Sequence, residues 1–157
     1  VYPGSPVSTT TKETGKRNVN IFTVGERPEP FSIDTFHYEC INIHFDPLND
    51  EHPVEIVDKA CKNVDKNTKV ILKVDGYVNC TKFDLNEKKI QDEIDKKLGK
   101  FIEGVAQYEF KDVSKILEDD IFKRFIQKLD AKNIDMNKRQ GYIDLLISAF
   151  SQEKSRG

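Results

Sequence analysis

The chain has 157 residues, of which 37% are hydrophobic and 33% charged, and its formal net charge is -2. This length suffices for one compact domain, or for a small domain with a helical extension. The near-neutral charge excludes an overall basic protein, so any contact with DNA must come from a local patch. No apolar run approaches the ~20 residues that span a bilayer and no signal peptide is visible, so we expect a cytoplasmic protein with no membrane partner.

The beginning of the chain is polar and rich in turn-forming residues, which predicts an irregular linker over residues 1–18. An apolar pair runs into a Pro-Gly turn at the very start, as at the end of a strand whose sheet lies elsewhere, so we expect a fragment of a longer polypeptide. Hydroxyl groups then occur beside the cations Lys12, Lys16 and Arg17. Such groups contact DNA phosphates. A solubilising linker is the alternative interpretation.

Hydrophobic periodicity predicts the order β-β-α-β-α-β over residues 19–111. The predicted strands lie at 19–24, 36–45, 70–74 and 105–110, and the predicted helices begin at Pro53 and directly after Asp84. Asp84 and Glu87 have the spacing of a capping box for the second helix. Two helices on one face of a small mixed sheet is the natural packing of these elements, so the predicted fold class is α+β.

After the last predicted strand the pattern becomes helical. Asp119 or Asp120 is expected to cap one helix and Asp135 to begin another, which predicts a two-helix appendix over 112–151 and a tail over 152–157. Helices this short are marginal alone, so their apolar faces must pack on each other and on this domain or a partner. The side chains that could contact a partner, or equally form an intramolecular core, are Phe122, Phe125, Ile126, Leu129, Leu146 and Phe150.

The sequence contains no catalytic or metal-binding pattern. The histidines His37, His44 and His52 are scattered, whereas a two-metal site needs several more His, Asp and Asn ligands. The Asp-Glu-His string that ends at His52 resembles part of a metal motif, but the Pro53 that follows favours a solvated turn before a helix. His37 and His44 are expected at the surface or half-buried. We therefore expect no catalytic residue, no metal ligand and no cofactor in this chain.

The three cysteines, Cys40, Cys61 and Cys80, lie about 20 residues apart without the spacing of a zinc site. They are expected to be core thiols in a reducing compartment.

Several segments resemble a known family. The string Val-Tyr-Pro-Gly-Ser-Pro at 1–6, with Glu13 after it, is similar to the segment that leaves the last metal-ligand motif of SbcD-type DNA repair nucleases. These enzymes belong to the calcineurin-like metallophosphoesterase superfamily. Residues 20–24, 70–76 and 116–125 resemble the strand that follows, the central strand of the capping domain and the start of the C-terminal helical segment.

The resemblance implies that this chain is the non-catalytic C-terminal part of such a nuclease. The manganese-dependent phosphoesterase domain would precede the linker, with Ser5 as the matched position nearest to it. Residues 19–111 would form a capping domain that positions DNA, and 112–151 would bind the SbcC-type ATPase subunit. A homodimer would form through the missing domain. The alternatives are an accessory domain of a metallophosphoesterase that acts on a non-DNA phosphodiester, and a free-standing protein-interaction domain.

Overall fold

The computed structural model describes residues 4–103, 106–132 and 134–154, and over these residues it confirms the predicted α+β class. Strands and helices alternate along most of the chain, and helices alone occupy its end. In chain order the elements are β1 (Arg17–Ile21), β2 (Glu29–Ile33), β3 (His37–Phe45), α1 (Pro53–Cys61), β4 (Thr68–Val78), α2 (Glu87–Leu98), β5 (Gln107–Tyr108), β6 (Lys111–Asp112), α3 (Ser114–Leu117), α4 (Asp120–Asp130) and α5 (Met136–Lys154).

The strands of the described ranges form two sheets. β1 and β2 make a separate antiparallel pair, and the other strands form a four-stranded sheet in which β4 pairs with β3, β5 and β6. β3 and β4 run in the same direction. His37 N donates to Asn67 O at 3.0 Å just before β4, whereas His44 Nδ1 lies 2.7 Å from Asp75 Oδ1 further along both strands. β6 is also parallel to β4.

Helices α1 and α2 lie side by side, as expected when consecutive parallel strands are joined by right-handed crossovers. Lys97 Nζ on α2 lies 2.9 Å from Glu55 Oε1 and 3.1 Å from Asp58 Oδ2 on α1. The hydrogen bonds to these two carboxylates raise the pKa of Lys97. The ammonium group therefore connects the two exposed helix surfaces.

The chain contains two compact units that interleave along the sequence. The first unit comprises Val1–Ile43, Val54–Lys73 and Glu93–Gln107, and the second unit comprises His44–Pro53, Val74–Asp92 and Tyr108–Gly157. β3, β4 and α2 each contribute residues to both units. The segment boundaries expected from the sequence, after residues 18, 111 and 151, stay predictions.

The first unit is built on apolar side chains that the helical and strand periodicities align. Val57 of α1, Val70 of β4 and Ile94 of α2 have no exposed surface. Removing each from water stabilises the fold by about 1.5–3 kcal/mol before entropy is counted. Cys61 is buried beside them, as expected for a core thiol, and burial raises its pKa.

The second unit has a core in which the C-terminal helices supply most of the side chains. The buried members of this cluster are Val113, Ile116, Phe122, Leu129, Ile143 and Ile147. The helices begin where capping residues predict. Asp119 accepts from Ile121 N at 2.8 Å, and Asp135 Oδ1 accepts from Asn137 N at 3.0 Å, so each satisfies a free N–H of the first turn.

Some local predictions are wrong. The Asp84–Glu87 capping box does not form, because Asp84 ends a 3-10 turn with φ 53° and Asn86 Oδ1 accepts from Lys89 N at 2.9 Å instead. The Glu87 carboxylate accepts from Asp112 N at 2.6 Å. β2 and β6 were not expected, and the strand expected at 105–110 is reduced to β5. The expected strand residue 105 lies outside the described residues, as does the opening string at 1–3.

Candidate functional site

The basic segment at the start of the first unit is largely engaged in internal contacts. The Arg17 side chain is only 16% exposed, and its Nε donates to Ser5 O at 3.1 Å. Its Nη2 lies 3.6 Å from Glu13 Oε2. The same carboxylate accepts from Thr9 N at 3.0 Å, and this backbone hydrogen bond, followed by the Thr9 hydroxyl and Arg17, lowers the pKa of Glu13. Arg17 therefore anchors the incoming chain to β1.

Lys16 and Lys12 differ in their surroundings, because Lys16 pairs with an acidic side chain and Lys12 faces solvent. Lys16 Nζ lies 3.0 Å from Asp65 Oδ2, and that hydrogen bond raises the pKa of Lys16. The Lys16 side chain is nonetheless 66% exposed. Lys12 is exposed. Of the four predicted DNA contacts, the structure brings Ser5 and Arg17 together, places Lys16 beside an acid, and leaves Lys12 facing solvent.

A polar cleft of about 580 Å³ lies beside Lys16, and the buried His37 contributes to its wall. His37 Nδ1 lies 3.0 Å from Thr35 O, and its Nε2 lies 3.2 Å from Thr68 Oγ1. Nδ1 donates to the carbonyl, so Nε2 accepts from the hydroxyl. The expectation that His37 lies at the surface or half-buried is wrong, because two partners offset the cost of its burial.

The C-terminal helices of the second unit form an open groove of about 540 Å³. Phe125 and Leu129 of α4 form one part of its lining, and Ile134 and Tyr142 another. Tyr142 is 46% exposed. An apolar depression with an exposed aromatic side chain is typical of a helix-binding surface.

Two lysines give this groove its charge. Lys128 lies on α4 and Lys132 follows the end of that helix, and both line the groove. Their ammonium groups complement carboxylates on whatever binds there.

The six side chains expected to contact a partner do not share one surface. Phe122 and Leu129 are core residues, and Phe125, Ile126, Leu146 and Phe150 are half-buried and pack against the same cluster. Only Phe125 and Leu129 also line the groove. Most of the predicted partner surface is therefore intramolecular core, which was the second interpretation that the sequence left open.

The Asp-Glu-His string in the second unit contacts Lys82 and Phe83. Asp50 pairs with Lys82, and this hydrogen bond lowers the pKa of Asp50. The His52 ring meets the Phe83 ring edge to face, with centroids 5.3 Å apart. The contacts fit the solvated turn that Pro53 indicated.

Across the described ranges, no three or more His, Cys, Asp or Glu side chains are arranged to hold a metal ion. In that same part of the chain, no helix combines the length and apolar character needed to cross a bilayer. Comparisons with protein-family models, with curated proteins and with solved structures return no match to the chain. The likeness to SbcD-type nucleases, and the manganese and ATPase that it implies, therefore stay predictions.

The groove contains residues that sequence reasoning missed, namely Lys128, Lys132, Ile134 and Tyr142. A weak signal was present, because Lys128 and Lys132 are four residues apart and frame Leu129. Ile134 and Tyr142 gave none. Their position depends on how the chain between α4 and α5 folds back, and no periodicity encodes that path.

Proposed function

We propose that this chain is the accessory part of an SbcD-type DNA repair nuclease, without a catalytic centre of its own. In this proposal the manganese-dependent phosphoesterase belongs to the parent protein, the α/β part positions DNA, and α4 and α5 bind the SbcC-type ATPase in the cytoplasm. The opening string at 1–6 motivates the family, and the arrangement of elements fits a capping domain followed by helices.

The observation that carries the partner-binding part of the proposal is the open groove between α4 and α5. Tyr142 is 46% exposed at this groove although the neighbouring Ile143 is completely buried. A large aromatic side chain held at an open apolar surface by a rigid helix is a favourable anchor for an incoming helix. Lys128 and Lys132 favour a segment with carboxylates beside its apolar residues.

The test is retention of the purified SbcC-type ATPase from the same genome. Tyr142→Ala should weaken binding by about 30-fold, the effect of losing roughly 2 kcal/mol at an interface centre. Lys132→Glu should weaken it several-fold, with a slower association rate. Phe22→Ala and Lys96→Glu are matched controls, because Phe22 is exposed in the first unit and Lys96 is exposed on α2.

Equal retention of the ATPase by all four variants would refute the assignment of the groove. If neither the variants nor the wild type retained the ATPase, the proposal that this ATPase is the partner would be refuted. Circular dichroism of each variant shows whether the helices remain folded, so loss of binding is separated from unfolding.

A second candidate function is an accessory domain of a metallophosphoesterase with a non-DNA substrate. The favouring observation is the internal engagement of the basic segment, where Lys16 pairs with Asp65 and Arg17 with Glu13. The net charge of -2 adds to it. Absence of DNA binding at low salt, together with retained ATPase binding, would support this candidate. A free-standing interaction domain would instead have no phosphoesterase motif in its parent gene.

A further inference from the structure

One imidazole connects the sheet to the C-terminal helix within the second unit. His44 lies at the end of β3 with its side chain 44% exposed, and its Nδ1 is 2.7 Å from Asp75 Oδ1 on β4. Its Nε2 is 3.3 Å from Asp144 Oδ2 on α5. Both ring nitrogens therefore face a carboxylate oxygen, and the two carboxylates belong to different elements.

The proton count of the ring decides whether both contacts are attractive. A neutral imidazole donates through one nitrogen and carries a lone pair on the other, whereas an imidazolium donates through both. Ionised carboxylates only accept. With a neutral ring, the shorter contact to Asp75 keeps the proton, and the Nε2 lone pair faces the oxygen of Asp144. Only the protonated ring bonds to both.

Acidic side chains outnumber basic ones in the cleft around His44. The cleft around His44 has a volume of about 600 Å³ and is also lined by Tyr77, Glu109 and Lys111. Three carboxylates, those of Asp75, Glu109 and Asp144, thus face one ammonium group. Tyr77 stays a neutral phenol here, because burial and then Asp144 raise its pKa.

The Asp144 carboxylate is held in place by a group other than His44, and the Asp75 backbone adjoins a tightly packed position. Gln140 Nε2 donates to Asp144 Oδ1 at 3.0 Å, which leaves Asp144 Oδ2 directed to the ring. Asp75 precedes Gly76, whose backbone passes so close to β3 that an added Cβ would lie 2.5 Å from Phe45 O. The Asp144 carboxylate is therefore oriented by α5 itself, and the ring lies between it and Asp75.

We propose that His44 is a pH-dependent clamp that holds α5 on the sheet of the second unit when its ring is protonated. The clamp is complete when both ring nitrogens carry a proton, and it loses the Asp144 contact when Nε2 gives up its proton at higher pH. Tyr142, which lines the groove, lies two residues before Asp144 on the same helix. The clamp therefore acts on the helix that forms one wall of the groove.

The test compares the thermal midpoints of the wild type and Asp144→Asn. At about pH 5.5 the variant should unfold roughly 1–3 °C lower, the effect of one partly exposed ion pair. At about pH 8.5 the difference should vanish or reverse, because the asparagine amide can donate to the neutral ring. Asp92→Asn, on an exposed part of α2, is the matched control and should show no such change.

A double-mutant cycle with His44→Gln separates the clamp from other effects of Asp144. Coupling between positions 44 and 144 should appear at the lower pH only. The other histidines are unchanged in all the variants, so their effects cancel in the differences. An Asp144→Asn effect that is equal at both pH values, or a coupling that is absent at the lower one, would overturn the proposal.

Discussion

At the scale of single residues, Gly76 shows how strictly one backbone position can be determined. Its φ is +94°, and an added Cβ would lie 2.5 Å from Phe45 O and 2.8 Å from Phe45 N. Both neighbours are backbone atoms of an adjacent strand, so they cannot rotate away as a side chain would. The close approach of β3 explains why no other residue fits at this position.

We predict that Gly76→Ala lowers the free energy of unfolding by about 2–4 kcal/mol, because it adds steric overlap to an unfavourable φ. Gly15→Ala is the matched control. Its φ is +91° with nothing within 4 Å of the added Cβ, and its N–H is held by Tyr38 O at 2.7 Å. The control should lose only about 1 kcal/mol. Urea unfolding measures both, and equal losses would show that the overlap is relieved elsewhere.

Asp112 is a second residue whose role is set by its hydrogen bonds. Its Oδ1 accepts from Cys80 N at 3.1 Å and from Ser114 N at 3.0 Å. Burial raises the pKa of Asp112, but the hydrogen bonds from Ser114 and Cys80 outweigh it, and the pKa lies below the usual 3.8. A carboxylate that is stabilised in this way contributes to folding above the unfolded pKa and loses the contribution as pH falls.

Asp112→Asn should therefore lower the free energy of unfolding by about 0.5–1 kcal/mol near neutral pH, a value reduced for partial solvent exposure. The difference from wild type should shrink as the solution is acidified below the usual carboxyl pKa of 3.8. Urea titrations at a series of pH values measure it. If the difference in free energy of unfolding persisted unchanged in acid, the asparagine side chain would destabilise the fold for steric reasons and not because it lacks a charge.

The cysteines and histidines show what residue-level patterns can and cannot predict. Cys61 and Cys80 are buried as expected, and burial raises the pKa of Cys80 to about 12. Cys40 is exposed, so its assignment to the core is wrong. It alternates with apolar neighbours on β3, and alternation alone does not say which face is covered. The exposure of His37 was also predicted wrongly, because its ring contacts Thr68 on another strand and no pattern within β3 indicates that contact.

At the scale of elements, the helices were predicted better than the strands. Helix ends are marked locally by capping residues such as Asp119 and Asp135, whose bonds involve the next few residues. β2 contains Pro30 and is exposed along most of its length, so it lacks the apolar alternation of a strand. β5 and β6 have two residues each, too few for any period.

The capping of α4 gives a prediction at this scale. Asp119→Ala should lower the free energy of unfolding by about 1 kcal/mol, because the first turn loses the acceptor for Ile121 N. Asp120→Ala is the control, since Asp120 occupies the first helical position, where a carboxylate interacts with the helix dipole by about 0.5 kcal/mol. Urea unfolding followed by circular dichroism compares them. The cap would be irrelevant if Asp120→Ala proved the more damaging change.

At the scale of the whole molecule, the α+β class followed from the alternation of strand and helix patterns, each of which is local. The division into two interleaved units could not be predicted in this way. β3, β4 and α2 contribute residues to both units, and which residues pack together depends on long-range contacts. The same limit applies to the candidate DNA contacts. Their residue types are visible in the sequence, but Asp65, which neutralises Lys16, lies in a distant segment that no spacing rule connects to it.

Charge balance across the molecule leads to the last prediction. With a net charge of -2, DNA binding by the chain depends on a few cations, and Lys16 is partly neutralised by Asp65. Asp65→Asn should free Lys16 for one more phosphate, so that binding at about 50 mM salt strengthens several-fold and the slope of log K against log salt steepens by about one.

Asp92→Asn is the control, because it changes the net charge by the same amount but releases no lysine comparable to Lys16, which lies 3.0 Å from Asp65. Fluorescence anisotropy with a labelled duplex compares the two. Equal strengthening by both would attribute the effect to net charge alone, whereas a specific effect of Asp65→Asn would place the phosphate backbone beside Lys16.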